Sequence, residues 1–225
     1  MACDKFADLV RSRKLYCRRL DKLPDALEGL LSAGNFRQMS PLAQARHDGY
    51  GIEENRDQEI IESERMRRIF FVNCWHINDS ESRTMWRLYA PRAESVVVVS
   101  RVWKLCACAR LYSRAGFGRT VVSKVRYVDF DFPRPDWVDW GPALFKDLAY
   151  QMEREIRLVV SPNCTTQRIM NSDSVKIQIG RTPLIEAVVL HPHADPGFCR
   201  TIRDLTRRHL PEVAVVASRI TSRLW

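Results

Sequence analysis

Glu153-Arg154-Glu155-Ile156-Arg157-Leu158-Val159-Val160 alternates charge with bulk and then turns wholly apolar. Residues two apart on a strand share a face, so Glu153, Glu155 and Arg157 are expected to project together from one side of a sheet. The apolar continuation carries that strand into a core and leaves the three charges at its mouth. Working outward, residues 69–75 (Ile-Phe-Phe-Val-Asn-Cys-Trp) are short, aromatic and β-branched, the pattern of a buried partner strand. Residues 95–100, with Val96 through Val99 unbroken, read as an interior strand. Residues 14–18, 120–130, 175–179, 187–191 and 213–218 complete the set.

Helical patterns lie between these strands. Residues 5–10 and 103–112 have helical character. Residues 81–90 form a helix capped by Asp79 or Ser80 and stopped by Pro91. Gly141-Pro142 opens a helix running to about Met152, and residues 196–210 are amphipathic. Near the start, Pro24 sits where a helix would begin, with Leu23, Leu27, Leu30 and Leu31 as its apolar face before Gly34. Residues 35–51 are polar and irregular. Residues 52–68 read as a largely solvated helix in which acids lead and bases finish, an order that suits the helix dipole. The alternation is irregular and lacks a repeating βαβ unit. The expected fold is therefore α+β: one domain over residues 1–225 with a mixed, mainly antiparallel sheet flanked by helices and an insertion at 35–68.

At 225 residues and 45% hydrophobic content the chain is large enough to bury a real core. No apolar run approaches the roughly 20 residues of a membrane span, and no apolar centre of a signal peptide precedes Arg19. No membrane partner is expected. The seven scattered cysteines read as reduced thiols of a cytoplasmic protein. Net charge is +9, unevenly placed: residues 95–128 hold no acid but include Arg101, Lys104, Arg110, Arg114, Arg119, Lys124 and Arg126. Arg200, Arg203, Arg207 and Arg208 form a second basic group. Such excess either attracts phosphate, from a nucleotide or a nucleic acid, or is a solvated face.

Two aromatic residues stand out. In the expected helix Trp86 and Tyr89 lie three apart on one face, beside Met85. They form either a wall on which a base or nicotinamide stacks, or a plug that seats the helix on the sheet. Glu153 and Glu155 are either solvated exterior or carboxylates able to hold a sugar hydroxyl or steady a developing cation. Cys106 and Cys108 are two apart on a helix and point away from each other, and His191, His193 and Cys199 lack partners at ligand spacing. No metal is predicted. Cys74 near His76 reads as a structural thiol. Walker, dinucleotide and Gly-x-Ser-x-Gly motifs are absent.

Spread along nearly the whole chain, several stretches together resemble a known family. They are residues 14–29 (Lys-Leu-Tyr-Cys-Arg-Arg-Leu-Asp-Lys-Leu-Pro-Asp-Ala-Leu-Glu-Gly), Val72-Asn73-Cys74-Trp75, Glu81-Ser82, Met85-Trp86 and Tyr89. Tyr127-Val128-Asp129, Lys146, Glu153-x-Glu155-x-Arg157, residues 189–192 and Ser218 continue it. The pattern is similar to domain-of-unknown-function family twenty-nine seventy-one, widespread in prokaryotes and phages. Its layout has a more distant likeness to the ADP-ribosyltransferase fold. That likeness implies an enzyme acting on NAD or another nucleotide in phage–host conflict. Glu155 would be the catalytic carboxylate with Glu153 positioning. Arg18 or Arg19 would sit near the entrance, Trp86 and Tyr89 would stack nicotinamide, and Arg157 would meet phosphate or a structural partner. Family members usually carry a Tyr-rich basic strand before the first helix, and here Met1-Ala2-Cys3 starts too late to contain it. Two alternatives stand beside the enzyme: a nucleic-acid-binding module using the basic surface, and a scaffold in which Glu153, Glu155 and Arg157 form a structural ion network.

Overall fold

The computed structural model describes residues 1–25, 27–30, 61, 63–132, 140–163, 171–180 and 183–220. The architecture is α+β, with sheets that are mainly antiparallel and flanked by helices. Two compact units share the chain. The first takes Met1–Tyr16, Ile77–Tyr112 and Lys176–Trp225; the second takes Cys17–His76 and Ser113–Val175.

The second unit is built around β7 (Glu155–Pro162). Its apolar run is flanked antiparallel by β2 (Phe71–His76) and β4 (Gly118–Lys124). With β1 (Lys14–Arg19) and β8 (Ser174–Gln178) they make a sheet in the order β4-β7-β2-β1-β8. The unit boundary falls within β1 and β8. Cross-strand partners share a face. Val72 pairs with Val159, and Val121 pairs with Val159 from the other side. These valines pack on Leu20, Phe70 and Ala143 to form the apolar core of that face.

Residues 120–130 are not one strand: Val125 interrupts them, leaving β4 and the short β5 (Arg126–Val128). The helix expected from Gly141 to Met152 is one turn only, α4 (Gly141–Leu144), after which Phe145–Asp147 (β6) pairs parallel with β5. Two local contacts explain this. Arg126 lies over the Phe145 ring, which holds Phe145 on β5. The Asp147 side chain accepts from Ala149 N and starts a 3₁₀ turn, Leu148–Glu153. Of the helix expected from Pro24 to before Gly34, the described residues 24–25 and 27–30 are not helical: they form a turn, in which Asp25 Oδ1 accepts from Leu27 N at 3.0 Å and competes with helical pairing. The expected insertion at 35–68 lies mostly outside the described residues. Of it, residues 63–68 are helical, but Ser63 and Arg67 are buried, so this part is not solvated all round.

The first unit pairs β9 (Ala187–Leu190) antiparallel with β3 (Val96–Val99) and parallel with β10 (Ala214–Ala217). β3 is thus an edge strand, not an interior one; its outer side meets Met1, whose amino group donates to Val96 O. Helix α1 (Cys3–Ser12) turns Phe6, Leu9 and Val10 inward. Helix α2 (Arg83–Tyr89) is capped by Ser82, whose hydroxyl accepts from Met85 N, so the cap lies two or three residues beyond the Asp79 or Ser80 expected. Helix α3 (Val102–Arg114) follows β3 and buries Leu105, Cys108 and Ala109. Helix α5 (Pro196–His209) starts on Asp195, which accepts from Gly197 N and Phe198 N, and seats Phe198, Ile202 and Thr206, four apart, against the interior.

Candidate functional site

The charges on β7 meet partners from three other segments of the second unit. Arg157 is fully buried. Its Nε donates to Glu155 Oε2 at 2.6 Å, its Nη1 to Ala143 O at 2.9 Å, and its Nη2 faces Glu28 Oε1 as an ion pair. Lys146 Nζ donates to Glu155 Oε1 at 3.0 Å and also to Glu153 Oε2. Its ammonium lies 4.6 Å from the Tyr150 ring centre. Tyr127 closes the strand mouth, its hydroxyl accepting from Glu155 N at 2.8 Å. Three carboxylates and two cations are thereby enclosed together, each under one-tenth exposed. By formal count the carboxyls outnumber the cations by one.

Glu153 reaches this network by a route the alternation did not foresee. It is not on β7 but ends the 3₁₀ turn, and Arg154 at φ +41° swings the chain into the strand. Its backbone carbonyl also meets His76 Nδ1 at 2.6 Å. His76 Nε2 is buried and has no hydrogen-bond partner among the described residues. His76 and Cys74 stand opposite Glu155 and Arg157 in the register, on the same face of the sheet. Cys74 is exposed.

Electrostatics separates the carboxylates. Burial works against ionisation of Glu155, yet Arg157, Glu153 and Lys146 together overcome it and hold its pKa at about 2. A group so acidic stays charged at neutral pH and suits electrostatic work, not proton transfer. Glu28 goes the other way: burial raises it more than Arg157 and Lys146 lower it. The formal excess of carboxyls is thus relieved at Glu28, which burial pushes toward its neutral form. Lys146, despite burial, is raised well above its usual value by Glu155, Glu28 and Glu153.

The two carboxylates make opposite contributions to stability against pH. Glu155 has a depressed folded value, so its contribution is full above the unfolded value of 4.5 and is lost as pH falls toward about 2. Glu28 has a raised folded value, so its contribution is present below 4.5 and lost as pH rises through the folded value. In urea titrations, the stability gap between wild type and Glu155→Gln is expected to narrow as pH drops from 4.5 to 2. A gap constant over that window contradicts the ionised, cation-held state of Glu155.

The remaining expected site residues are elsewhere. Arg18 pairs with Val72, which puts it on the network's face of the sheet, but it is exposed. Arg19 pairs with Phe71 and so lies on the opposite face from Glu155. It is held there by Asp21 at 2.6 Å, Ser172 O at 3.0 Å and Asp173 at 3.3 Å, and does not join the carboxylates. Trp86 and Tyr89 belong to the first unit. They do not form one wall: Tyr89 is exposed, whereas Trp86 is buried against Ala90 and Val189. Trp86 Nε1 donates to Glu81 Oε2 at 3.1 Å, and its ring meets His191 edge-on at 5.1 Å. Glu81 further accepts from Ser218 Oγ at 2.5 Å and Arg219 N at 2.7 Å, which makes it the anchor of the Trp86 region.

Part of the basic stretch is used internally. Arg101 and Lys104 both pair with Glu186, Arg119 lies over the Trp140 ring, and Arg126 covers Phe145. Arg200, Arg203, Arg207 and Arg208 are exposed on α5. Among the described residues, no helix is long and apolar enough to cross a membrane, and no group of three or more His, Cys, Asp or Glu is placed to hold a metal ion. Glu28 and Lys146 stood out only as members of the resembling stretches, without a role read for either. No protein-family model, curated protein or solved structure matches this chain.

Proposed function

We propose that this chain processes a nucleotide such as NAD by cleavage at the ribose carbon, with Glu155 as the electrostatic group and Glu153 and Lys146 setting its position. The observation that supports this is the ionised Glu155 carboxylate, held by Lys146 and Arg157 on the face that also carries Cys74, His76 and Arg18. Breaking the nicotinamide–ribose bond sends the electron pair to the departing ring and builds positive charge on the ribose. Water then adds to that carbon and loses a proton. A permanently ionised carboxylate beside the carbon lowers the barrier by Coulomb attraction in a site of low dielectric. Arg157 keeps Glu155 oriented, and Glu28 is the member whose protonation sets the net charge. On this reading the resemblance to family twenty-nine seventy-one and to ADP-ribosyltransferases is one of chemistry as well as pattern.

The expected result is nicotinamide release from NAD by the purified chain, falling about 10²-fold or more in Glu155→Gln while the fold is kept. Wild-type turnover by that variant, or no release by wild type, removes the assignment.

A structural reading is favoured by a different observation: both Glu155 oxygens are occupied by cations. It predicts that Glu155→Gln lowers the melting temperature and that NAD has no effect on it. A nucleic-acid module is supported by the exposed arginines of α5 and predicts binding that weakens steeply with salt.

A further inference from the structure

A second concave site lies wholly within the first unit, in a pocket of about 330 Å³. Helix α2 forms one side. Arg83 and Arg87 stand four apart on it, so both project toward the same opening. The residues following β9 form the other side and contribute His191 and His193. Trp86 and Pro91 also line it, and no lining residue is acidic.

Both arginines are exposed, and neither has a carboxylate partner among the described residues. Like charges four apart on a helix repel one another, so the pair costs the folded chain a little and brings no internal contact in return. A guanidinium fork matches phosphate oxygens in shape and charge, and two of them balance the nearly two charges of a phosphate monoester. Glu81, bonded to Trp86, accepts also from Ser218 and Arg219 N and is not among the residues lining the pocket.

The remainder of the pocket suits a flat ring. His191 Nδ1 accepts from His193 N at 3.0 Å, which fixes the His191 ring and puts its proton on Nε2. Burial, then His193 and the chain's amino group, lowers the His191 pKa, so the ring is neutral at neutral pH. His191 and His193 lie 5.7 Å apart at 53°, and Pro91 adds an apolar surface beside them. Aromatic and proline faces of this kind stack a heterocycle with little regard to its identity. The volume is at the small end of ligand pockets, about 300–1,000 Å³, which fits one nucleoside and one phosphate better than a dinucleotide.

We propose that this pocket binds a nucleoside monophosphate, with the phosphate held between Arg83 and Arg87 and the base against His191 and Pro91. The site is independent of the Glu155 chemistry, and the two are measured apart: nicotinamide release reads one, ligand binding the other.

The test is calorimetric titration of the full chain with the four ribonucleoside 5′-monophosphates, the corresponding nucleosides and inorganic phosphate. At least one monophosphate is expected to saturate one site and to bind tenfold or more tighter than both its nucleoside and phosphate alone. Arg83→Glu with Arg87→Glu is expected to raise its Kd tenfold or more. Because both side chains are exposed and unpaired, far-ultraviolet dichroism and melting temperature should stay as in wild type. If the reversed charges disturb folding, Arg83→Ala with Arg87→Ala serves the same purpose with a milder change. Absence of saturable binding by wild type, equal affinity for phosphate alone, or unchanged affinity in a folded double variant overturns the assignment.

Discussion

Replacing Arg157 by methionine is expected to cost about 3–5 kcal/mol of unfolding free energy, the range seen when one member of a buried ion pair is removed. Methionine fills much of the same space, so a cavity is not the main cause. What remains is Glu155 with one oxygen stripped of its cation, Glu28 without its ion-pair partner, and Ala143 O without its donor. Lys146 alone would then serve three carboxylates. Arg157→Lys is not expected to rescue: one ammonium cannot reach Glu155, Ala143 O and Glu28 from a single point. Adding Glu28→Met to Arg157→Met should restore part of the loss, since it removes one orphaned charge. Urea unfolding of wild type, Arg157→Met, Glu28→Met and the double variant checks this. A double variant that is the plain sum of its singles means the side chains do not act as a set.

Gly118→Ala is expected to be the next most damaging change, at about 3 kcal/mol. Gly118 opens β4 opposite Pro162, at φ +154°. A Cβ there would stand 2.6 Å from Pro162 Cα and 3.1 Å from Asn163 N. Both atoms are backbone, and Asn163 is tied by its own N–H to Phe117 O at 3.1 Å, so neither yields by a change of rotamer. Gly116→Ala is the control. Its φ of +75° is also left-handed, but nothing lies within 4 Å of the added carbon. It should cost only about 1–2 kcal/mol of backbone preference. Equal losses at the two positions in denaturant unfolding would show that close approach of β4 to β7 is not what selects glycine.

The apolar strands were readable because burial on both sides leaves a run of valine, leucine and phenylalanine that little else explains. Residues 69–75 and the later part of β7 are of that kind, and they pair with each other. The segment after Gly141 misled because Pro142 is as good a helix start as any. The decision there was made by Phe145 under Arg126 and by Asp147, contacts that a window along the chain does not see. Glu155 and Arg157 were visible as an alternation, but alternation says which face and not which neighbours. Lys146 arrives from β6 and Glu28 from a turn over a hundred residues away, and only the closed sheet brings them together. Trp86 was ambiguous for a plain reason: an aromatic side chain on a short helix has the same spacing whether it faces a ligand or Val189.

Each unit is assembled from pieces that alternate along the chain, and this has a consequence for birth on the ribosome. β2 must wait for β7, about 80 residues later, before its central partner exists; at about 5–20 residues per second that is a delay of several seconds. Helix α1 emerges among the first residues, yet α5, against which it packs, is among the last. The first unit therefore cannot close until its last segment has been made, after the second unit is complete. Throughout translation the nascent protein carries unsatisfied strand edges, and holdase chaperones that grip such edges should raise its soluble yield more than they would for a chain whose folding proceeds in order.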